Sequence, residues 1–201
     1  MTYYYLCVLD FEATCDDKTE IKDSMEIIEF PSVLYSVKIE NENHIPTFIS
    51  EFHEYVKPTI KPILTPFCTE LTGITQEIVD KADIFKNVLS RHSKWLQNNV
   101  EHLNKVYFVT CGDWDLKTQL PRELKNKDLK CSSVYKQYIN IKAEFGYFYK
   151  IKVSGMTGML NHLKLTLDGK HHSGIDDTRN IAKILLELIN EGHNKFNIRK
   201  L

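Results

Sequence analysis

A nine-residue stretch near the start of the chain, YYYLCVLDF at residues 3–11, constrains the fold more than any other feature. It is rich in aromatic and aliphatic residues and contains no glycine or proline, a composition typical of a largely buried strand. Two acids, Asp10 and Glu12, stand at its end. Because side chains alternate along a strand, these carboxylates are expected on one face, with Phe11 pointing to the other.

Two carboxylates on one face repel each other unless a cation lies between them. Oxygen ligands of this kind suit Mg²⁺ or Mn²⁺ better than zinc. Taken alone, however, Asp-x-Glu is a common tripeptide, and an ordinary strand end with two solvated acids explains it better. The pair needs support from elsewhere in the chain.

Further strands follow directly. Residues 26–39 and 45–56 predict two strands, the first bent or interrupted at Pro31, which form an antiparallel three-stranded meander with the opening strand. Three prolines between Lys57 and Pro66 predict a surface connection without regular structure.

The second half of the chain alternates strand and helix, which predicts a parallel portion of the sheet. Asp83 is expected to cap an amphipathic helix. Residues 105–110 predict a strand, followed by a helix from about Trp114 that Pro121 should limit. A last helix is predicted over 176–190. The inward positions of the first and last of these helices are expected to be Ile84, Phe85, Val88, Leu89, Trp95, Leu96, Val100 and Leu103, and Ile181, Ala182, Ile184, Leu185, Leu188 and Ile189.

We therefore expect one domain over residues 1–201, an α/β fold with a mixed sheet flanked by helices. A hydrophobic content of 42% suffices for one substantial core. No apolar run is long enough to span a bilayer and the start lacks signal-peptide features, so no membrane association is expected. The five cysteines include no C-x-x-C pair, which argues against a disulfide framework or thiolate zinc site and favours an intracellular location, cytoplasm or nucleus.

Charge is distributed unevenly along the chain although the net charge is −1. Residues 1–60 carry four basic and twelve acidic residues, whereas residues 121–201 carry fifteen basic and eight acidic. An acidic metal site beside a basic phosphate-binding wall would produce this asymmetry. Solvated surfaces whose charges intermix on folding explain it equally well, so it supports nucleic-acid binding only weakly.

Two further acidic motifs lie at the ends of predicted elements. CGDWD, residues 111–115, lies where a strand ends and a helix begins, the place where α/β sheets bind ligands, although Asp113 or Asp115 as a helix cap is the alternative. GKHHSGIDDTRN, residues 169–180, sets loop histidines beside aspartates at a helix start, although a histidine-rich turn with a capping aspartate explains that segment alone. The combination of three acidic sites and a nearby histidine favours a catalytic metal centre.

Four segments resemble successive motifs of the Eri1-like branch of the DEDDh exonucleases, within the RNase H-like superfamily. They are VLDFEATC (8–15), FCTELTGIT (67–75), CGDWD (111–115) and GKHHSGIDDTRNIAKIL (169–185). The similarity extends from residue 3 to about residue 190. It implies an RNase H-like fold and a metal-dependent 3′-to-5′ exoribonuclease that acts on a single-stranded RNA 3′ end or the 3′ overhang of a structured RNA, releasing nucleoside 5′-monophosphates.

The resemblance also implies roles for individual residues. Asp10, Glu12, Asp115 and Asp177 would hold two Mg²⁺ ions, for which Mn²⁺ substitutes, and His172 would take the proton from the attacking water. Substrate contacts would come from Phe11, Ala13, Thr14, Leu71, Gly73, Ile74 and Trp114. Of these, Phe11 is also expected to pack in the core and Gly73 to end a helix.

Adjacent duplicates leave a choice at the last motif, since His171 and Asp176 have the same separation as His172 and Asp177. A helix turns about 100° per residue, so only one member of each pair is expected to face the metals. Asp177 lies four residues before Ile181 and shares the inward stripe, whereas Asp176 is expected toward solvent or the cap. The sequence therefore predicts His172 with Asp177.

Two features depart from the family pattern. Asp113 is an added carboxylate that would either strengthen metal binding or cap the helix. Because Asp10 is so near the start, no nucleic-acid-binding module is expected ahead of the nuclease. A DEDDh DNA exonuclease is the main alternative, since the reader of the 2′-hydroxyl is not visible in the sequence. An inactive RNA-binding scaffold is disfavoured, because all five residues of the motif set are present.

Overall fold

The apolar stretch at the start forms a strand, β1 (Thr2–Leu9), that the computed structural model places in the middle of a mixed sheet. Its alternating side chains enter two hydrophobic cores. Tyr5, Cys7 and Leu9 pack on one face of the sheet, and Leu6 and Val8 pack on the other. The prediction of a largely buried strand is confirmed.

The structure describes residues 2–18 and 22–201, and within these ranges eight strands form the sheet. After β1 they are β2 (Glu12–Ala13), β3 (Ile27–Glu40), β4 (Asn43–Lys57), β5 (Asp83–Ile84), β6 (Val106–Thr110), β7 (Gln137–Asn140) and β8 (Arg199–Lys200). Their order is β5-β4-β3-β1-β6-β7-β8, with β2 paired to β3. Met1 and residues 19–21, which belong to the predicted domain span 1–201, lie outside the described residues.

Helices cover both faces of this sheet. The α-helices within the described ranges are α1 (Pro66–Thr72), α2 (Gln76–Lys81), α3 (Phe85–Asn99), α4 (Leu120–Asn126), α5 (Ile141–Tyr149), α6 (Met156–Leu163) and α7 (Gly174–Asn190). Side chains of α3 and α4 join the first core, whereas those of α5, α6 and α7 join the second. No helix in the described part of the chain has the length and apolar character that crossing a bilayer requires.

The predicted α/β architecture is confirmed. β1, β3 and β4 form the antiparallel meander, with β3 pairing to both neighbours. β6 runs parallel to β1, and β7 runs parallel to β6. All six predicted inward positions of α7 are buried. Gly73, with φ +81°, caps the end of α1 as expected.

Three local predictions are wrong. Asp83 does not cap α3: Ile84 occupies the cap position and is 40% exposed rather than inward, while Asp83 forms an ion pair with Arg91. Pro121 does not end the helical segment, because a π-helical turn ends at Gln119 and Pro121 then lies in the first turn of α4, where its missing N–H is tolerated. Pro31 does not interrupt β3, since it falls between the pairings of β3 with β1 and with β2.

The elements that the sequence analysis missed are short or lie in one stretch. α2 and β8 have six and two residues, and β7, α5 and α6 fill residues 137–163, for which no element was predicted. In this stretch tertiary packing of apolar side chains such as Phe145 and Met159 against α7 selects the helices.

One buried acid ties distant parts of the fold together. Glu26, 1% exposed, accepts hydrogen bonds from the backbone N–H groups of Thr59, Ile60 and Lys61 and forms an ion pair with Lys127 at 2.7 Å. Burial alone would raise its pKa, but the hydrogen bonds from Lys127 and the backbone outweigh burial and lower the pKa below the usual value. Glu26 therefore stays ionised and holds the proline-rich connection against the start of β3.

Replacing this carboxylate provides a stability test. Glu26→Gln is expected to lower the free energy of unfolding by about 2–4 kcal/mol at pH 7, because Lys127 loses its charged partner. Since the folded-state pKa is lowered, the stabilisation is present at neutral pH and lost as pH falls through that pKa. Urea unfolding at pH 7 would measure it, with the exposed pair member Glu77→Gln as control. Equal losses in both variants would contradict this role.

Candidate active site

Three of the predicted carboxylates meet at one end of β1. Asp10 directly follows β1, Glu12 begins β2 and Asp177 lies in the first turn of α7. Their carboxylate oxygens lie within 4.8 Å of one another. Segments that are 165 residues apart in sequence thus contribute to one cluster.

Asp115 reaches the same corner by another route. It lies in the π-helical turn Trp114–Gln119 that follows β6, and the parallel pairing of β6 with β1 brings that turn beside Asp10. The Asp115 side chain is 4% exposed, and its Oδ1 accepts a hydrogen bond from the Phe11 backbone N–H at 2.9 Å. Asp115 thus lies beside the group of three acids. Its hydrogen-bond donor, the Phe11 backbone N–H, lies in the chain between Asp10 and Glu12.

Burial raises the pKa values of all four acids, and repulsion between carboxylates adds to the rise at Asp10 and Glu12. Burial, followed by the charges of Asp115, Glu12 and Asp177, holds the pKa of Asp10 well above its usual value. Burial and neighbouring carboxylates raise the pKa of Glu12 to about 9, and burial raises that of Asp115 to about 6 and also raises that of Asp177. A bound cation lowers the repulsion within such a group of carboxylates, and a set of oxygen donors alone fits a hard divalent metal ion.

Both histidines of the HH pair line the cleft beside this cluster, and which of them faces the metals stays a prediction. Both residues precede α7, and His172 adopts the left-handed conformation with φ +67°. Their imidazole rings are stacked, with the ring centroids 3.9 Å apart. His171 Nδ1 lies 3.0 Å from Asp177 Oδ2, whereas His172 donates its backbone N–H to the same oxygen at 2.9 Å. The helical-turn argument applies only to the aspartates: Asp176 lies outside the cluster and accepts the Lys170 backbone N–H.

Glu29 is a site residue that sequence reasoning missed. It is paired with Glu12 across the β2–β3 register and is 1% exposed. Its carboxylate accepts the backbone N–H groups of Gly174 and Ile175 at 2.9 and 3.0 Å and contacts His53 at 2.8 Å. It thereby fixes the start of α7, one turn before Asp177. The available signal was an acid inside an otherwise apolar strand, which must have partners.

The cleft has a volume of about 390 Å³ and includes only part of the predicted substrate contacts. Phe11, Ala13, Leu71 and Trp114 line it, and Trp114 is 37% exposed. The unpredicted lining residues are Cys15, Met25, Cys111, Ser154, Gly155, Met156, Thr157, His171 and Ile181.

Three predicted substrate contacts lie elsewhere. Thr14 is buried, and its hydroxyl accepts the Glu26 backbone N–H. Ile74 is 2% exposed and packs in a small core with Ile28 and Val79. Gly73 caps α1 against the Lys170 side chain. These residues therefore shape the wall that carries Leu71, because the αL turn at Gly73 directs Ile74 inward.

Asp113 lies outside the acidic cluster, so the expectation of a further metal ligand is not met; it occupies the N-cap position of the π-helical turn Trp114–Gln119, but its side chain makes no capping hydrogen bond. Its Oδ1 accepts hydrogen bonds from the Tyr138 hydroxyl at 2.8 Å and the Asn140 amide at 2.9 Å, and it forms an ion pair with Arg199. Burial would raise its pKa, but these hydrogen bonds lower it instead. Asp113 ties the turn before Asp115 to β7 and β8.

Comparisons with known proteins agree with this geometry. The sequence profile of the family described as Exonuclease matches residues 7–185. The nuclease domain of 3′hExo, a DEDDh family member solved bound to rAMP, superimposes with a TM-score of 0.87 at 35% identity, covering 99% of this chain and 98% of that one. This chain belongs to the DEDDh exonuclease family. The predicted Eri1-like resemblance and RNase H-like fold are confirmed.

Other relatives of this DEDDh exonuclease domain are named for RNA. The 3′-5′ exoribonuclease 1 of Rattus norvegicus is 38% identical over 196 residues, which cover 94% of this chain and 54% of that protein. A structure of 3′-end specific recognition of histone mRNA stem-loop by 3′-exonuclease has a TM-score of 0.83 at 34% identity, covering 96% and 84% of the two chains. The chain spans about half the length of the curated relatives it matches.

The position of Asp113 leads to a test that separates it from the cluster. Asp113→Asn is expected to lower the free energy of unfolding by about 1 kcal/mol through weaker bonds to Arg199, while keeping the rise in melting temperature that Mn²⁺ induces. Glu12→Gln should lose that rise, because it removes one of the three converging carboxylates. Thermal unfolding with and without Mn²⁺ measures both. Loss of the Mn²⁺ response in Asp113→Asn would place Asp113 in the metal site.

Proposed function

We propose that this protein is a divalent-metal-dependent exonuclease that shortens RNA from its 3′ end and releases nucleoside 5′-monophosphates. The observation that carries the proposal is the convergence of Asp10, Glu12 and Asp177 within 4.8 Å, with Asp115 beside them, in a chain of the DEDDh family. The names of the relatives support RNA as the substrate.

We assign these carboxylates to two metal ions, as the family resemblance implies. Asp10, Glu12 and Asp177 would hold one ion, and Asp10 with Asp115 the other. When bound, Mg²⁺, or Mn²⁺ in its place, lowers the pKa of a coordinated water and neutralises charge on the leaving 3′ oxygen. The hydrogen bond from Phe11 N–H orients Asp115, and the Glu29 contacts to α7 orient Asp177.

His172 is the proposed general base. His171 already uses Nδ1 to contact Asp177, whereas the His172 ring lies over it and lines the cleft. Burial, with the neighbouring His171, lowers the pKa of His172, so its imidazole is neutral at pH 7 and accepts a proton at a ring nitrogen. The Asp177 hydrogen bond to the His172 backbone N–H holds the loop that presents this ring.

The cleft supports recognition of a terminal nucleotide. Trp114 offers a partly exposed aromatic face of the kind on which bases stack, and Leu71 borders the cleft from α1. We also propose that the chain forms one domain and that the protein works inside the cell, in the cytoplasm or nucleus. All five cysteines are free thiols, which supports the intracellular location.

End-labelled oligonucleotides test the proposed reaction. The protein should trim RNA stepwise from a free 3′-hydroxyl in Mg²⁺ and stop in excess chelator. Asp10→Asn and Asp177→Asn should abolish turnover yet retain the circular dichroism spectrum and most RNA binding, because each removes a metal ligand and not core packing. Matched DNA strands form the second arm. Faster trimming of DNA would show that DNA, and not RNA, is the substrate. Full activity in chelator, or cleavage of circular RNA, would refute the mechanism.

A pair of variants separates the two histidines. His172→Ala is expected to lower the single-turnover rate by about two orders of magnitude, the scale of losing a general base. His171→Ala should cost less than tenfold, since Asp177 remains hydrogen-bonded to the His172 backbone. Rapid-quench trimming of a labelled RNA at saturating Mg²⁺ measures both rates. A larger loss in His171→Ala would reverse the assignment.

A further inference from the structure

A second groove, of about 470 Å³, opens beside the catalytic cleft. Two lysines, Lys142 at the start of α5 and Lys152 in the segment after it, line this groove together with Gly112, Asp113, Asn140, Ala143, Gly146, Ile151 and Val153. No part of the proposed chemistry uses these residues.

Cleft and groove are formed by consecutive residues of the same two segments. After β6, Cys111 lines the cleft and Gly112 lines the groove. On the facing segment Ser154 lines the cleft and Val153 lines the groove. The cleft and the groove therefore adjoin at this boundary.

The groove carries positive charge that is not neutralised. The side chains of Lys142 and Lys152 are exposed, and their ammonium groups form no hydrogen bond or ion pair with any residue in 2–18 or 22–201. Burial and the charges of Asp10 and Asp115 raise the pKa of the Cys111 thiol to about 12, and the positive charge of Lys142 opposes this rise. The carboxylate in the groove, Asp113, is already paired with Arg199.

Two other basic side chains, by contrast, are engaged. Lys170 donates to the backbone carbonyl of Glu70, and Arg122 donates to the Gln119 side chain. The floor of the groove is also open, since a Cβ added at Gly112 would meet no atom within 4 Å. Close approach of a sugar-phosphate chain is therefore sterically free.

We propose that this groove binds the sugar-phosphate backbone of the RNA strand upstream of its 3′-terminal nucleotide, with Lys142 and Lys152 each contacting a phosphate. The inference rests on the proposed exonuclease function. Lysine contacts to phosphates add affinity without reading sequence, so they increase in effect with strand length and weaken with salt. A substrate too short to enter the groove gains nothing from them.

A double variant, Lys142→Gln with Lys152→Gln, tests the groove. The matched control is Lys86→Gln with Lys94→Gln, which removes the same charge from exposed positions on α3. The readouts are kcat/KM for an RNA 12-mer, a dinucleotide and bis(p-nitrophenyl) phosphate, and the salt dependence of the 12-mer reaction.

The groove variant should lose about tenfold in kcat/KM on the 12-mer, and its logarithmic salt slope should fall by about 1.4 for two lost contacts. Rates on the two small substrates, and all rates of the control, should stay unchanged. An unchanged 12-mer rate, or equal losses on large and small substrates, would contradict the proposed role of the groove without contradicting the proposed exonuclease function. Absence of trimming by the unaltered protein would overturn the proposed function and this inference together.

Discussion

Repulsion between carboxylates at the end of β1 is the constraint on which the rest of the site depends. The four acids that lie there, partly or fully buried, are Asp10, Glu12, Asp115 and Asp177. Two unit charges 4 Å apart repel by roughly 4 kcal/mol at the effective dielectric constant of a protein surface. The fold partly offsets this cost with backbone donors: Phe11 N–H on Asp115 and His172 N–H on Asp177. The remaining cost favours cation binding, which links the stability of this corner to its chemistry.

Sheet geometry holds these charges together. The parallel pairing of β1 with β6 sets Asp10 beside the turn that carries Asp115, and the β2–β3 register sets Glu12 opposite Glu29. Glu29 in turn binds the first N–H groups of α7 and so positions Asp177. At Gly174 a Cβ would lie 3.0 Å from the Asp10 carbonyl oxygen and from Glu29 Oε2, so any larger residue requires these neighbours to shift by a few tenths of an ångström.

The charge asymmetry of the sequence has two outcomes in the fold. Part of it intermixes, as acids of the first sixty residues pair with bases of the last eighty: Glu26 with Lys127 and Glu51 with Arg179. Another part stays unpaired, at Lys142 and Lys152 in the groove beside the acidic cluster. The pairs confirm the interpretation that charges intermix on folding, whereas a phosphate-binding wall at the unpaired lysines stays a prediction.

The sequence by itself determined the fold class and the central strand through apolar periodicity, a local property of the chain, and indicated the carboxylates that converge through motifs that resemble those of the DEDDh exonucleases. It also distinguished Asp177 from Asp176, since that choice depends only on the turn of one helix. The tertiary structure alone decided the contacts across the sheet: Glu29 at the start of α7, Asp113 on Arg199 and both histidine rings at the cleft. These depend on register, on a left-handed residue at position 172 and on partners up to 146 residues away, which no local pattern encodes.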